Sequence, residues 1–366
     1  MTRAQKTAGS TRRGCAPIGS DPQLRIRRAT ESLSEGNLVM IVDDRDHSRV
    51  QGYLILAAEC ATAQNVAFMV RHSSGLLCVA LPASDCDRLE LPRMEGVDET
   101  DLVELWARVT VDAIDGVTTG ISASDRARTS TLLADVESGP RDFTRPGHVV
   151  PVRIAEAGLA ERDSIAEAAV QVVAAAGRQP AALFATVVSG GAPGWDLPNL
   201  SELGRFAAAE GLSMITVTDI RDDYLDYGLS VERISTARVP QNEVAIYRLA
   251  NSDVIYLVIV DGDHKGAVGV QLHTGDASSL ALQERHQARP CLPSADAAGL
   301  IHIQHIGSDS VNKSVDAAIV ATIVADLGPA SVRLVNDNSA LERALRVRGI
   351  ENSGRRNAAS RELRNC

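Results

Sequence analysis

Four things missing from this 366-residue sequence narrow what it can be. No apolar run approaches the roughly 20 residues a helix needs to cross a bilayer, which argues against any partnership with a membrane. The basic residues Arg3, Lys6, Arg12 and Arg13 have no apolar segment behind them and do not read as a secretory signal. The six cysteines (15, 60, 78, 86, 291 and 366) form no CxxC pair and no metal-ligand spacing, so reduced thiols in a cytoplasmic protein are expected. Positive charge is in deficit too. A formal charge of −10 argues against general binding to nucleic acid, which depends on neutralising phosphates.

What is present is an ordinary globular composition, 45% hydrophobic, long enough for two domains with a core each. Residues 1–20 read as a disordered basic tail. Asp21-Pro22 predicts an N-cap with proline at the first helical position, Ile26, Ala29 or Thr30, and Leu33 follow at helical spacing, and Gly36 ends the helix. Leu38 to Val42 predicts a buried strand. The densest polar chemistry runs from Asp112 to Val152. There Asp115-Gly116 predicts a hairpin turn between ARVTVDAI and VTTGISA. Ser122 to Asp125 has the form of a capping box opening a short helix, with Arg126 and Arg128 near a helix N-terminus that would suit an anion. Arg145-Pro146-Gly147-His148 predicts a rigid turn presenting one imidazole just before the strand VVPVR. Thr119, Asp125, Arg126 and His148 together suit a small phosphorylated substrate; taken alone, a stable turn and a capped helix account for them equally well.

Gly116-Val117-Thr118-Thr119-Gly120-Ile121-Ser122-Ala123-Ser124-Asp125-Arg126 and Asp142-Phe143-Thr144-Arg145-Pro146-Gly147-His148-Val149-Val150-Pro151 also carry a family resemblance. They resemble the 3,4-dihydroxy-2-butanone 4-phosphate synthase domain of the bifunctional riboflavin-biosynthesis proteins, in which a GTP cyclohydrolase II domain follows. The resemblance implies an α/β (α+β) fold with a synthase-like domain at 21–228. A shortened cyclohydrolase-II-like α/β domain would follow at 231–351, with a polar tail at 352–366. It also implies Mg²⁺ in the first domain, Zn²⁺ in the second, and a homodimer formed through the synthase-like domain.

The residues that would carry that chemistry are largely replaced. In the synthases, an acidic loop of the form DDEDRENEGD binds the sugar phosphate and Mg²⁺; hard cations take oxygen ligands, and enolisation needs a carboxylate base. Here Asp43, Asp44 and Asp46 remain, but His47, Ser48, Arg49, Val50 and Gln51 follow, with one residue inserted before Gly52. Counting from Pro151, the family's metal-site His falls on Ile165 and the neighbouring Thr on Ala166, while Arg162 keeps a position near the phosphate-binding Arg. The family's catalytic Glu falls on Thr186. A small Gly-Thr-Ala-Tyr-like segment becomes Glu104-Leu105-Trp106-Ala107. His148 is the retained acid–base candidate, with Thr119, Asp125, Arg126 and Arg162 as candidate substrate-binding residues. In the second domain the segment bearing the first zinc cysteine is deleted after His273, and the other two positions fall on Gln283 and Arg285. Cys291, His286, His302 and His305 do not rebuild a site, since HIQH alternates as a strand and puts His302 and His305 on opposite faces.

Three readings follow. The first is a divergent member of the family without either ancestral activity, acting as scaffold, regulator or hetero-oligomer partner of an active paralogue in riboflavin metabolism. The second is altered chemistry on another small phosphorylated ligand, which requires a ligand-sized pocket where the five candidate residues converge. The third is weak residual synthase activity on ribulose 5-phosphate. No cofactor and no metal site are expected. Elemental analysis of the purified protein should therefore find neither Mg²⁺ nor Zn²⁺ in stoichiometric amount; one tightly bound zinc per chain would overturn the reading of the second domain.

Overall fold

Helix α1 (Pro22–Ser34) begins where Asp21 accepts a hydrogen bond from the Gln23 amide at 3.1 Å and ends at Gly36, whose φ of +75° suits a residue without a Cβ. A computed structural model of the protein describes residues 21–46, 48–94, 106–188, 197–239, 242–250, 252–263, 265–273, 299–306, 312–335 and 338–352. Both tails, His47, Gln283, Arg285, His286 and Cys291 lie outside the described residues. The chain divides into two compact units, residues 1–222 and 223–366. Both are mixed α/β, as the sequence predicts.

The first unit is built on seven strands: β1 (Val39–Asp43), β2 (Gln51–Ala57), β3 (Leu77–Leu81), β4 (Val111–Ala113), β5 (Phe143–Arg153), β6 (Ala182–Thr186) and β7 (Ser213–Thr216). They lie in the order β4-β5-β3-β6-β2-β1-β7, parallel between β5 and β3 and between β1 and β7, antiparallel elsewhere. β3 is buried along its whole length, so helices cover both faces. On one face pack α2 (Ala63–His72), α4 (Ala123–Leu133) and α6 (Leu200–Glu210), around Met40, Leu54, Val79, Leu183 and Leu203. On the other lie α1 and α5 (Ile165–Ala175). Between them run α3 (Ala83–Arg88) and, closing the unit, α7 (Val217–Asp223).

Two sequence predictions fail here. No hairpin forms at Asp115-Gly116: VTTGISA is not a strand, and β4 pairs instead with β5, Asp112 opposite Thr144. Arg145 to His148 is not a turn either. It lies inside the eleven-residue strand β5, with Arg145-Pro146 in cis. The cause is a close backbone approach: a Cβ on Gly147 would stand 2.0 Å from the Val111 carbonyl carbon and 2.3 Å from the Asp112 nitrogen. Glycine alone lets the two strands meet there.

The second unit is a six-stranded sheet, in the order β13-β11-β12-β10-β9-β8, with α8 (Lys313–Leu327) and α9 (Ser339–Val347). Its strands are β8 (Val231–Val239), β9 (Asn242–Leu249), β10 (Ile255–Gly262), β11 (Ala267–His273), β12 (Gly299–Ile306) and β13 (Ser331–Leu334). Tyr247 and Tyr256 face each other across β9 and β10, and both hydroxyls donate to carboxylates of α8, to Asp326 and Asp316 at 2.6 Å each. Burial explains the pairing, since a sequestered phenol needs an acceptor. His302 and His305 do take opposite faces of β12, His302 against His273 at 2.9 Å and His305 against the Tyr256 ring.

Gly147→Ala should lower unfolding free energy by about 3 kcal/mol, the upper range for overpacking. Gly52→Ala should cost less, because its new Cβ meets the Leu203 side-chain tip, which can move, rather than backbone. Urea denaturation of the two variants checks the order.

Candidate functional site

β4 and β5 bring together a pair that lies far apart in sequence. The His148 amide donates to Asp112 Oδ1 at 2.8 Å, and His148 Nδ1 meets Asp112 Oδ2 at 2.6 Å. An ionised carboxylate only accepts, so Nδ1 carries the proton and Nε2 of the neutral ring is left with its lone pair. Asp112 is buried, whereas the His148 side chain is 40% exposed, so the free nitrogen is reachable from solvent. This is the geometry of an oriented base: one carboxylate fixes the backbone, the ring and the tautomer. Asp112 is the residue that the sequence reading missed. The available signal was an acid inside an apolar strand, since a charged side chain is rarely buried without a partner.

Gly120 closes over this pair. With φ at +85°, it approaches so nearly that a Cβ would stand 2.0 Å from Asp112 Oδ2 and 2.8 Å from His148 Nδ1. The turn is held by Asp125, whose Oδ2 accepts from Thr118 Oγ1 at 2.8 Å and from the Gly120 amide at 3.1 Å. The Thr118 hydroxyl bond, with those from Ser122 and the backbone, outweighs burial and lowers the Asp125 pKa. Asp125 therefore organises the loop, and its own amide is capped by Ser122 Oγ at 3.0 Å. Arg126 is buried and donates to the Gly75 carbonyl at 2.9 Å, while its Nε is buried without a hydrogen-bond partner. Burial pushes its pKa down, opposed by the charge of nearby Asp112. Thr119 is exposed beside this group.

Arg162 stands elsewhere. Its Nε donates to Glu167 at 2.7 Å and its NH2 to the Arg153 carbonyl at 2.9 Å, and its guanidinium lies 4.7 Å from the centre of the Trp106 ring. Arg153 is five residues beyond His148 on one strand, about 17 Å away. No hydrogen bond or ion pair among the described residues joins Arg162 to the other four candidates. One cleft of about 780 Å³ is lined by Ser48 to Gln51 and Leu197 to Leu200, and by none of the five.

The fit of a divalent cation follows from the acids that remain. Asp43 gives both oxygens to Arg45, at 2.9 and 2.6 Å; Asp44 caps Thr218; Asp46 accepts from Ser48. Ile165 occupies the first turn of α5, just 2% exposed, behind its cap Ser164. Thr186 ends β6, where its carbonyl accepts from the Ser74 amide. Among the described residues no three His, Cys, Asp or Glu side chains cluster as a metal site would require. These residues do not fit Mg²⁺ as the synthases hold it.

His72 is half-buried between Phe68 and Phe206, at centroid distances of 4.5 and 5.3 Å, and serves packing. Cys78 is buried in β3, which raises its thiol to about 12, so it is no nucleophile at neutral pH. Among the described residues no helix is long and apolar enough to cross a membrane.

Two outcomes can be checked. Nitrogen-15 NMR of neutral His148 should show the Nδ1–H tautomer, and Asp112→Ala should release a mixture in which Nε2–H appears. The depressed Asp125 pKa adds stability that is complete above the unfolded value of about 4 and is lost as pH falls through the lower native value. The stability gap between wild type and Asp125→Ala should narrow on acidification and be flat at neutral pH.

The sequence model of the 3,4-dihydroxy-2-butanone 4-phosphate synthase family matches residues 27–222. A riboflavin biosynthesis protein RibBA of Rhodococcus jostii is 37% identical, over 89% of this chain and 88% of its own. One from Mycobacterium tuberculosis is 35% identical over 86% and 84%. A solved structure of RibBX, a two-domain 3,4-dihydroxy-2-butanone 4-phosphate synthase from A. baumannii, superposes with a TM-score of 0.69 at 25% identity, covering 86% of this chain and 94% of that one. The Candida albicans synthase aligns with 57% of this chain and 97% of its own at 35% identity, TM-score 0.50. Family match, length-spanning relatives and two-domain neighbour agree: the chain belongs to the 3,4-dihydroxy-2-butanone 4-phosphate synthase family and is a riboflavin-biosynthesis protein of the RibBA type.

Proposed function

We propose that this protein is a divergent member of its family that has lost the metal-dependent synthase reaction and acts in riboflavin metabolism as a scaffold, regulator or partner of an active paralogue. One observation carries the reading. The position where the synthases place a metal-binding histidine is Ile165, buried at the start of α5 where it contributes to the core. An aliphatic side chain offers no lone pair, and the acids of the 43–46 segment are engaged within the chain. Skeletal rearrangement of a sugar phosphate with loss of formate needs several coordinated proton transfers, and one oriented histidine supplies one. The retained sheet supports a homodimer through the first unit or a hetero-oligomer with an active paralogue. Loss of cyclohydrolase activity belongs to the same reading, since the second domain's zinc-ligand positions are replaced in sequence.

The His148–Asp112 pair favours a second reading. A reachable Nε2 beside the buried Arg126 suits proton transfer on a small anionic substrate, without a metal. Thr119, Asp125 and Arg126 would then position that substrate.

Purified protein incubated with ribulose 5-phosphate and Mg²⁺ should release no formate above background while unfolding cooperatively. Formate released at the rate of an active homologue, and abolished by His148→Ala, would overturn the loss of activity.

A further inference from the structure

Trp106, Arg108 and Arg93 form a second polar group in the first unit. The segment before β4 runs extended against the start of the chain that follows α3: Arg93 bridges Arg108 as an antiparallel pair, and the Val109 amide donates to the Pro92 carbonyl at 2.9 Å. Its other edge is tied to β5, Arg108 N to the Pro151 carbonyl at 2.8 Å and Arg153 N to the Trp106 carbonyl at 3.0 Å. Side chains alternate along an extended segment, and partners across an antiparallel bridge share a face. Trp106, Arg108 and Arg93 therefore project to one side. Four guanidinium groups gather there: Arg93 lies 5.7 Å and Arg162 4.7 Å from the Trp106 ring centre, with Arg108 and Arg153 adjoining.

Two of the four are matched by acids. Arg153 pairs with Asp87 and Glu156, and Arg162 with Glu167. Arg93 and Arg108 have no ion pair among the described residues. Arg93 is exposed, whereas Arg108 is only 7% exposed and its Nε is buried without a hydrogen-bond partner. A buried guanidinium without an ion pair is costly, and a second cation beside it adds repulsion that the charge of Asp87 offsets only in part. Burial, with the charges of Arg153 and Arg93, pushes the Arg108 pKa down, although arginine stays protonated at neutral pH.

We propose that Arg93 and Arg108, walled by Trp106, form an anion-binding site for a dianionic phosphoryl group. Two unmatched charges equal the charge of the ligand, and the fork of a guanidinium matches the spacing of phosphoryl oxygens. The indole, 43% exposed, gives a flat apolar wall for whatever organic group carries the phosphate. Arg162 takes no part, since Glu167 already holds it. The site stands apart from His148 and Asp112, with no hydrogen bond or ion pair among the described residues joining the two groups, so it does not depend on the functional reading above.

Titration calorimetry of the full chain with inorganic phosphate, in chloride buffer at constant ionic strength, tests it. The expected result is saturable binding of one phosphate per chain, weakened at least tenfold in Arg93→Gln and abolished in Arg108→Met. Without phosphate, Arg108→Met should melt no lower than wild type, because it removes an unpaired buried charge. Absence of saturable binding to wild type overturns the site, as does binding unchanged in both variants. So does an Arg108→Met protein that melts markedly lower in phosphate-free buffer; the five acids between Arg93 and Trp106 in sequence would then be the counter-charges. An Arg108→Met protein that fails to fold overturns the site on the same ground, and exposed Arg93→Gln tests binding without that risk.

Discussion

The first unit depends on one steric permission, the contact of β5 with the backbone at Val111 and Asp112, where Gly147 leaves no room for a side chain. The geometry of the His148–Asp112 pair is downstream of it. If the strands stood an ångström further apart, Asp112 could not accept from both the amide and the ring of the next residue, and His148 would be an ordinary surface imidazole. Gly120 repeats the device from the other side, its backbone seated where a Cβ would overlap the carboxylate. Two glycines and one buried acid thus convert a histidine on a strand into an oriented base. The cost is backbone freedom at both glycines, and the hydrogen bonds of Asp125 offset part of it by fixing the loop that carries Gly120.

Much of the framework was legible because its signals are local. Asp21-Pro22 and Ser122 act through atoms two or three residues away, and each caps the helix that the sequence predicts. The alternation in HIQH depends on neighbours alone, and it held. The failures share a physical cause. Asp115-Gly116 is a strong turn signal, but the partner of β4 lies thirty residues downstream, and a long-range pairing outweighed the local preference. Arg145-Pro146-Gly147 reads as a turn for the same reason, since proline and glycine usually punctuate chains; here they serve a strand that must pass close to another backbone.

The candidate site was legible by residue type and illegible by assembly. His148, Asp125, Arg126 and Thr119 do lie along one short stretch, yet their roles differ. Asp125 faces the loop, Arg126 reaches back to Gly75, and only His148 presents a free ring nitrogen. Arg162 belongs to a different neighbourhood altogether, because Glu167, five residues on in the chain, holds it from the first turns of α5. No spacing rule in the sequence separates an arginine that is committed to a buried glutamate from one that is available to a ligand.

Charge balance ties these observations together. A site for a hard cation needs carboxylates whose oxygens are held apart and left unmatched. In this unit the acids of the 43–46 segment and Asp112 are engaged instead. Asp43 is clasped by Arg45, Asp44 caps Thr218 at the start of α7, Asp46 accepts from Ser48 in its own loop, and Asp112 accepts twice from His148. Among the described residues, the buried unmatched atoms of this unit are mostly guanidinium nitrogens, of Arg108, Arg126, Arg145 and Arg162, with Asp163 Oδ1 the exception. Engaged acids beside buried guanidinium nitrogens without partners are a poor match for a hard cation and a better one for an oxyanion. The chain keeps the family's fold, and the polar groups left over in its first unit are chiefly donors.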